Sequence, residues 1–549
     1  MSLFGNLYTG MGSLQTGQNA LNTVAHNLSN ISTQGYTRQQ ILQTDLRYTT
    51  ISVNAKAVSN KQIGDGVTYA QTRTVRDYFL DQSYRKESGR NAFYEVSYNT
   101  LAEVETLLGE LDGESFNESL DNIYEAMKEL AKNPASSVNQ SLVVTRASEF
   151  IERANSVYTS LESYQDNLNK QIKEAVDRIN TISSRIKDLN DDIVAIQSTK
   201  VEQANDLRDE RNLLLDELGK LGKIAYSEDE FGALSVKFEG HTLVNREVAN
   251  EIALDTQEGT GFYTPYWKLD AKKQVDALGN ISFDTSTATV FNLEQTISTA
   301  MDTDIGSVKS MLVARGDHRA NYTDLGDTGT YNKRISNSIL MNVEAEFDNL
   351  VHNIVTSLNQ ALADAAGEAT AKIPGSTYLR DDAGNALQMF TRIAAEVSDA
   401  EDLTPGKENT LFTLGNLVVN PELTKRPTLF GFVNDESEED FETAMKLQQA
   451  FENENYTLNP NVTTKTSLID YYSNIVSQVA NTGSVFKSVF NSETTTVSTI
   501  EMARQQISGV SDDEELENMI KYQNAYNAAS RYINVVDQLL EHIISTLGT

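Results

Sequence analysis

Cysteine is absent from the 549-residue sequence, which excludes disulfide bonds, thiolate catalysis and zinc or iron–sulfur sites built on cysteine. Long apolar runs are absent too. No stretch of about 18 apolar residues occurs, and the first residues have neither a basic segment nor a continuous apolar one. The sequence therefore predicts neither a membrane-spanning helix nor a cleavable Sec-type signal.

Basic residues are scarce relative to acidic ones. The chain has 45 Lys and Arg against 78 Asp and Glu, a formal net charge of −33. A surface of this sign repels the phosphates of nucleic acids and anionic lipids. We therefore expect neither nucleic-acid binding nor membrane insertion.

Catalytic and metal-binding motifs are missing as well. The five histidines are followed by Asn, Thr, Arg, Asn and Ile, so no His-Glu-x-x-His motif occurs, and the P-loop and Gly-x-Ser-x-Gly patterns are absent. The acidic clusters at 302–304 and 381–385 lack the terminal glutamate of a calcium loop. We predict no enzymatic activity, no cofactor and no metal site.

The most regular feature of the sequence is an apolar row near its C-terminus. Its residues are spaced by alternating steps of three and four, which keeps them on one face of a long helix. The row consists of Met519, Tyr522, Tyr526, Ala529, Ile533, Val536, Leu540, Ile543 and Leu547.

A similar but weaker row lies near the N-terminus, at Leu7, Met11, Leu14, Leu21 and Leu28. Four glycines interrupt it at 5, 10, 12 and 17, and each costs a helix about 0.8–1 kcal/mol relative to alanine. We expect this helix to form only when packed. The two rows together predict that the terminal helices form one coiled coil, whose apolar residues are the candidate self-assembly interface.

Between the ends the hydrophobic period changes several times. Residues 36–75 are typical of extended segments, whereas helical spacing holds over 76–132 and 139–221. The second helical stretch has a strong seam over 168–196, and its charged residues indicate a solvated face. Strand-like runs begin at 224, with a hairpin turn at Glu239–Gly240, and helical spacing resumes from 335.

These periods predict a mainly α, elongated, multidomain chain with an inserted β-rich module. The terminal coiled-coil domain comprises residues 1–45 plus 507–549. A helical rod domain, built from both halves of the chain, comprises 46–223 plus 321–506. The β-rich module comprises 224–320.

The segment that leaves the first helix reads SNISTQGY over residues 29–36. It resembles the N-terminal signature of the flagellar rod, hook and hook-associated axial proteins, and residues 508–547, with YQNAY at 522–526, resemble their C-terminal signature. The motif residues are Asn30, Thr33, Gly35 and Tyr36. We expect Gly35 to take a positive φ in the turn and Tyr36 to pack where the next domain begins; an ordinary helix stop with a surface tyrosine is the alternative.

Three internal stretches restrict the resemblance to one group of these axial proteins. Residues 116–134, 179–193 and 204–218 are similar to those of the hook-associated proteins at the hook–filament junction. The resemblance covers both ends and the first helical region, and it fades through 224–465. It implies a structural subunit that forms a ring between hook and filament.

The resemblance also implies partners and a location. The partners are further copies of the chain, the hook protein, a second hook-associated protein on the filament side, and a cytosolic export chaperone at the C-terminal helix. The protein would leave the cytoplasm by the flagellar type III pathway and become part of the extracellular flagellum, which agrees with the missing Sec signal.

Two other functions remain open. A hook or distal rod protein shares both terminal signatures, but it resembles a chain with a β-dominated centre, whereas helical seams dominate residues 90–221 here. A secreted coiled-coil adhesin would need neither the turn motif nor matched rows at both ends.

Overall fold

The computed structural model describes residues 3–46, 48–52, 61–109, 115–198, 203–275, 281–395, 400–404 and 406–547. Helices dominate these residues, as predicted. The α-helices are α1 (Leu3–Ser29), α2 (Tyr78–Leu108), α3 (Phe116–Lys132), α4 (Ser137–Gln197), α5 (Asn205–Leu221), α6 (Ser307–Arg315), α7 (Thr328–Thr330), α8 (Ile339–Lys372), α9 (Pro421–Lys425), α10 (Phe441–Glu452), α11 (Leu468–Ser508) and α12 (Asp512–Leu547). A π-helical turn at Tyr331–Ile335 and short 3₁₀ turns fill some of the connections.

The strands form small sheets of two or three members. They are β1 (Gln39–Asp45), β2 (Tyr48–Ser52), β3 (Lys61–Gly64), β4 (Val67–Thr74), β5 (Ile224–Glu228), β6 (Leu234–Phe238), β7 (His241–Val244), β8 (Ile252–Thr256), β9 (Tyr263–Trp267), β10 (Lys272–Val275), β11 (Ile281–Asp284), β12 (Phe390–Arg392) and β13 (Leu417–Val419). Their order is β1–β4, β2–β3, β5–β6–β7, β8–β9, β10–β11 and β12–β13. The extended segments predicted for 36–75 are confirmed, and so is a strand-rich stretch after 224.

The chain divides into two compact units, and the division differs from the predicted domains. Unit 1 comprises residues 1–91, 178–252 and 493–549, and unit 2 comprises 92–177 and 253–492. The predicted β-rich module of 224–320 is therefore shared between the units, and it also contains helix α6. A change of hydrophobic period marks a change of secondary structure, which need not coincide with a change of packing partner.

The core of unit 1 includes the part of the predicted α4 seam that lies within 178–193. Ile179, Ile182, Ile186, Leu189 and Ile193 are all fully buried. The predicted hairpin is confirmed, because β6 and β7 pair in antiparallel fashion around a turn with positive φ at 239 and 240. Burial alternates along β6, as expected of a strand with one face on a core.

The core of unit 2 is built around α8. Phe116 of α3 lies at its centre, and its ring centroid is 5.4 Å from that of Phe150, 4.8 Å from that of Phe347 and 4.7 Å from that of Tyr472. Aromatic rings at these separations contribute packing energy beyond their buried area. Trp267 of β9 is buried as well.

Candidate assembly surface of the terminal helices

The first and last helices of the chain, both in unit 1, pack against each other in antiparallel fashion. Gly10 of α1 lies against Ile533 of α12, and Gly17 lies against Tyr526, so the residue number falls along one helix as it rises along the other. The predicted association of the two termini is thus present within a single chain.

Small residues of α1 make this contact possible. A Cβ atom built on Gly10 would lie 2.7 Å from Cγ1 of Ile533 and 3.1 Å from Cδ1 of Tyr532. A Cβ atom on Gly17 would lie 3.5 Å from Cβ of Tyr526. On a neighbouring face, the Cβ position of Gly12 is 2.7 Å from the carbonyl oxygen of Val67 in β4. The glycines that weaken α1 as an isolated helix therefore allow other elements to approach it closely.

The most buried row of α1 differs by one position from the predicted one. Residues that are buried or half-buried recur at steps of three and four from Gly10 onward, and each lies one position before a residue in the phase of the predicted row. The row consists of Gly10, Ser13, Gly17, Ala20, Val24 and Asn27. We call it the small-residue row of α1; sequence reasoning missed it because its members offer little apolar surface.

The predicted row of α1 lies beside the small-residue row. Leu7, Leu14, Leu21 and Leu28 are half-buried, and Met11 is 54% exposed. Since these side chains are only partly covered within the chain, they remain available to another molecule. Their role in self-assembly stays a prediction.

The predicted row of α12 coincides with the covered face of that helix. Val536 is buried, Ile543 is exposed, and Leu547 ends the helix with a side chain outside the described residues. The remaining predicted interface residues are half-buried: Met519, Tyr522, Tyr526, Ile533 and Leu540. The regular spacing of large apolar residues therefore identified the face of α12 that contacts α1. It does not show whether the same face also contacts a second copy of the chain.

Another face of α12 is apolar and exposed. We call it the exposed ridge, and it consists of Leu516, Ile520, Val535 and Leu539. Beside it, a groove of about 480 Å³ runs between α1 and α12. Most of its lining consists of small residues, among them Ser13, Ala525 and Ala528, and Tyr522 and Tyr532 also line it. A ridge of large apolar side chains next to a groove of small ones is a surface that another helix can cover.

The turn motif lies directly after α1, and its polar side chains close the end of the helix. The side chain of Asn30 donates to the carbonyl oxygen of His26 at 3.0 Å, and the hydroxyl of Thr33 donates to Oδ1 of Asn30 at 3.1 Å. Gly35 has φ of +81°, so its predicted positive φ is confirmed. Its Cβ position is 3.4 Å from the side chain of Leu213 in α5, which leaves little room for a larger residue.

Asn27 fixes the path of the chain after this turn. Its Oδ1 accepts hydrogen bonds from the hydroxyl of Tyr36 at 2.7 Å and from the backbone N–H of Gln39 at 3.0 Å. Its Nδ2 donates to the carbonyl oxygen of Gln39 at 2.9 Å. Tyr36 is therefore packed back onto α1, and burial raises the pKa of its phenol above the ordinary value.

Polar contacts secure the segment on the other side of the turn. The backbone N–H of Thr37 donates to Oδ2 of Asp209 at 2.9 Å, and burial raises the pKa of Asp209 to about 6. The backbone N–H of Arg38 donates to the carbonyl oxygen of Ser508 at 2.8 Å, and its guanidinium contacts Glu514 at 2.5 Å. The turn thus connects the end of α1 to α5 and to the start of α12.

Asp209 also begins a chain of alternating charges. Its carboxylate is 3.4 Å from Arg76, and the series continues through Asp81 at 3.0 Å, Arg504 at 2.9 Å and Asp216 at 2.6 Å. The series ends at Arg85 of α2, whose guanidinium is 2.7 Å from the carboxylate of Asp216. Buried carboxylates and guanidinium groups in this arrangement satisfy one another, and removing one would leave its neighbour uncompensated.

The solvated face predicted for the charged residues of 139–221 is therefore wrong at three positions of α5. Asp209, Arg211 and Asp216 are buried. Their partners lie far away in the sequence, at 76, 85, 228 and 504. No local pattern distinguishes such residues from solvent-exposed ones.

No group of histidine and acidic side chains among the described residues is arranged to hold a metal ion. Over the same residues, no helix combines the length and the apolar character required to cross a bilayer. The arrangement in unit 1 is one of packing surfaces and structural ion pairs, and it leaves apolar side chains of α12 exposed.

Family models match three parts of the chain. The model for the flagellar hook-associated protein FlgK helical domain matches residues 101–372. The model for the C-terminal region of flagellar basal body rod FlgEFG proteins matches 504–546, and that for flagella basal body rod proteins matches 7–37. The two rod models thus cover most of α12 and α1, together with the turn motif.

Known proteins match over the whole length of the chain. Flagellar hook-associated protein 1 of Bacillus subtilis is 26% identical over 100% of this chain and 99% of its own. The proteins of the same name from Salmonella typhimurium and Escherichia coli are 23% and 21% identical, covering 97% and 99% of this chain and 98% and 99% of their own.

One solved structure shares the fold. The flagellar hook junction protein FlgK from Burkholderia pseudomallei has a TM-score of 0.55 and 12% sequence identity, and the match covers 78% of this chain and 100% of the solved one. With the family models and the full-length relatives, this agrees with the resemblance seen in the sequence. The chain belongs to the flagellar hook-associated protein 1 family.

Proposed function

We propose that this chain is a structural subunit of the junction between hook and filament in the bacterial flagellum. The observation that carries the proposal is the pairing of α1 with α12, which leaves an apolar ridge exposed beside a groove of small residues. Membership of the hook-associated family supports the place of the subunit within the flagellum. No catalytic step is part of this function.

Self-assembly would use the terminal helices twice. Within one subunit, the small-residue row of α1 packs against the covered face of α12. Between subunits, the exposed ridge of one copy would enter the groove of the next. The half-buried row that begins at Leu7 would also contribute to this contact. Because ridge and groove are different surfaces, the contact is head-to-tail, and such contacts close into a ring when the rotation per subunit permits.

The other partners follow from this position. The hook protein would lie on one side of the ring and a second hook-associated protein on the filament side. Before assembly, a cytosolic export chaperone would cover the C-terminal helix, whose exposed ridge is otherwise open to aggregation. Export by the flagellar type III pathway would place the subunit outside the cell.

Deletion of the gene in the organism that encodes the chain tests the proposal. Cells without the protein should build complete hooks and release flagellin into the medium, because nothing at the hook tip presents a surface for the filament. Electron microscopy of the cells and immunoblotting of the medium measure both outcomes. Cells without hooks would indicate a hook or rod subunit, and normal filaments with poor attachment to surfaces would indicate an adhesin; either result would refute the junction role.

A further inference from the structure

Helix α8, at the centre of unit 2, carries three buried carboxyl groups within five residues. Glu344, Glu346 and Asp348 are each at most 1% exposed. An isolated carboxylate is very costly in such surroundings, so each group must either be compensated by hydrogen bonds or be protonated. The hydrogen-bond partners distinguish the two cases.

Two of the three have the partners of an ionised group. The oxygens of Asp348 accept backbone N–H bonds from Tyr322 at 3.0 Å and from Leu414 at 2.7 Å. Glu346 accepts only from side-chain amide N–H groups, those of Asn459 at 2.6 Å, Gln478 at 3.1 Å and Asn342 at 3.3 Å. Every contact is a donor aimed at an acceptor. Burial raises the pKa of both groups, that of Asp348 to about 7, and these donors oppose the rise.

Glu344 has a different environment. Its Oε2 accepts from Nε2 of Gln165 at 3.0 Å and from the backbone N–H of Ala320 at 3.1 Å. Within the described part of the chain, its Oε1 has no hydrogen-bond partner, and neither has Oε1 of Gln165. The amide of Gln165 is not reversed, because its Nε2 also donates to the carbonyl oxygen of Arg315 at 3.1 Å.

A single proton would satisfy both oxygens. If Glu344 is a neutral acid, Oε1–H can donate to Oε1 of Gln165 while Nε2–H of Gln165 donates to Oε2 of Glu344. The result is a cyclic acid–amide pair with two hydrogen bonds. An ionised Glu344 would leave two buried acceptors without a donor, which costs about 1–3 kcal/mol for each in proteins.

The charged neighbours of Glu344 do not remove this preference. On α4 the facing groups are Glu162 and Tyr158, on the segment after α6 they are Arg319 and His318, and Asp348 lies one turn further along α8. The guanidinium of Arg319 is already 2.7 Å from Glu162. Burial is the largest influence and raises the pKa of Glu344 to about 8.

We propose that Glu344 and Gln165 form a proton-dependent latch, which holds the segment after α6 against α8 when Glu344 is neutral and loosens it when Glu344 ionises. Ala320 is the point of attachment, since its N–H donates to the oxygen that also accepts from Gln165. Ionisation leaves this bond in place but sets a buried negative charge against an amide oxygen.

The direction of the pH effect follows from linkage. The pKa of Glu344 is higher in the folded protein than its ordinary value of 4.5, so the stabilisation is fully present below pH 4.5 and is lost as pH rises through about 8. Between these values the folded state holds one proton more than the unfolded state at this position. The unfolding constant of unit 2 should therefore rise by about tenfold per pH unit on account of Glu344 alone.

The substitution Glu344→Gln in the full-length protein tests the latch. A glutamine can donate N–H to Oε1 of Gln165 and still accept at its carbonyl oxygen, without a titrating proton. In denaturant titrations from pH 5.5 to 7.5, the slope of the unfolding constant should fall by about one proton relative to the wild type. The control is Glu368→Gln, an exposed position on the same helix, which should leave the slope unchanged. An unchanged slope in Glu344→Gln would refute the proposal.

Infrared difference spectroscopy of the wild type gives a second test that does not depend on the folding of a variant. A neutral buried acid absorbs as a protonated carboxyl group at pH 6, and this band should disappear by pH 9. In Glu344→Gln the band at pH 6 should be weaker by the contribution of one carboxyl group; the part that remains belongs to other buried acids whose pKa is raised by burial, among them Asp209 and Asp348. Absence of the band from the wild type at pH 6, or a band of unchanged intensity in the variant, would overturn the assignment.

Discussion

The close approach of α1 and α12 predicts that one substitution will have opposite effects at two glycines of the same helix. Gly10→Ala places a Cβ atom 2.7 Å from Cγ1 of Ile533, whereas Gly5→Ala meets nothing within 4 Å. In an exposed helix, alanine is favoured over glycine by about 0.8–1 kcal/mol. Overpacking a contact costs about 1–3 kcal/mol. Gly5→Ala should therefore stabilise the pair by up to about 1 kcal/mol, and Gly10→Ala should destabilise it by up to about 2 kcal/mol.

Hydrogen exchange of the α1 amides measures these changes as free energies of local opening. Slower exchange is expected in Gly5→Ala and faster exchange in Gly10→Ala. Ile533→Ala removes the atom that the new methyl group at position 10 would contact, so in the double variant the cost of Gly10→Ala should largely disappear, with a coupling energy of about 1–3 kcal/mol. If Gly10→Ala slowed exchange as much as Gly5→Ala, or if the coupling were absent, the helices would not be in close contact at this point.

Two further predictions concern assembly and the core of unit 2. Leu539→Asp changes the exposed ridge and should leave stability within about 0.5 kcal/mol of the wild type while preventing incorporation into flagella, as immunoblotting of purified hook–filament preparations would show. Val536→Asp, on the covered face, should instead destabilise the helix pair itself; equal behaviour of the two variants in hydrogen exchange would contradict the assignment of the faces. Asp348→Asn should destabilise unit 2 by about 1–3 kcal/mol in denaturant titrations above pH 7, where Asp348 is ionised, because the NH₂ group of the asparagine would face one of two backbone N–H donors; a variant as stable as the wild type would refute that geometry.

The sequence was informative where large apolar residues repeat at a regular interval. The row of α12, the seam of α4 and the hairpin at Glu239–Gly240 could be read directly, because each depends on the spacing of apolar residues or on a turn that requires positive φ. In α1, the residues that contact α12 lie one position before those of the predicted row. Gly10 and Gly17 contact α12 because they are small, and a pattern of hydrophobicity does not register the absence of a side chain.

Long-range polar contacts could not be predicted at all. Asn27 shares no local motif with Gln39 that marks their paired hydrogen bonds, and the carboxylate of Asp216 meets an arginine nearly 300 positions later. Similarly, nothing in the sequence around Glu344 distinguishes it from a solvent-exposed acidic residue of an amphipathic helix. Its partner, Gln165, lies on another helix, and only the folded arrangement reveals the oxygens that require a proton.

The division of the chain into units has a consequence for the order in which the molecule can be completed. A chain that emerges from its N-terminus presents residues 1–91 first, but unit 1 also needs residues 493–549. All residues of unit 2 have emerged by position 492, so that unit can fold while unit 1 is still unfinished. Until the final helix appears, α1 has no α12 to pack against, and its glycines disfavour a helix on its own. The last residues to arrive therefore determine when the first ones become structured, and a chain truncated before α12 would expose an unpaired N-terminal segment however well its middle had folded.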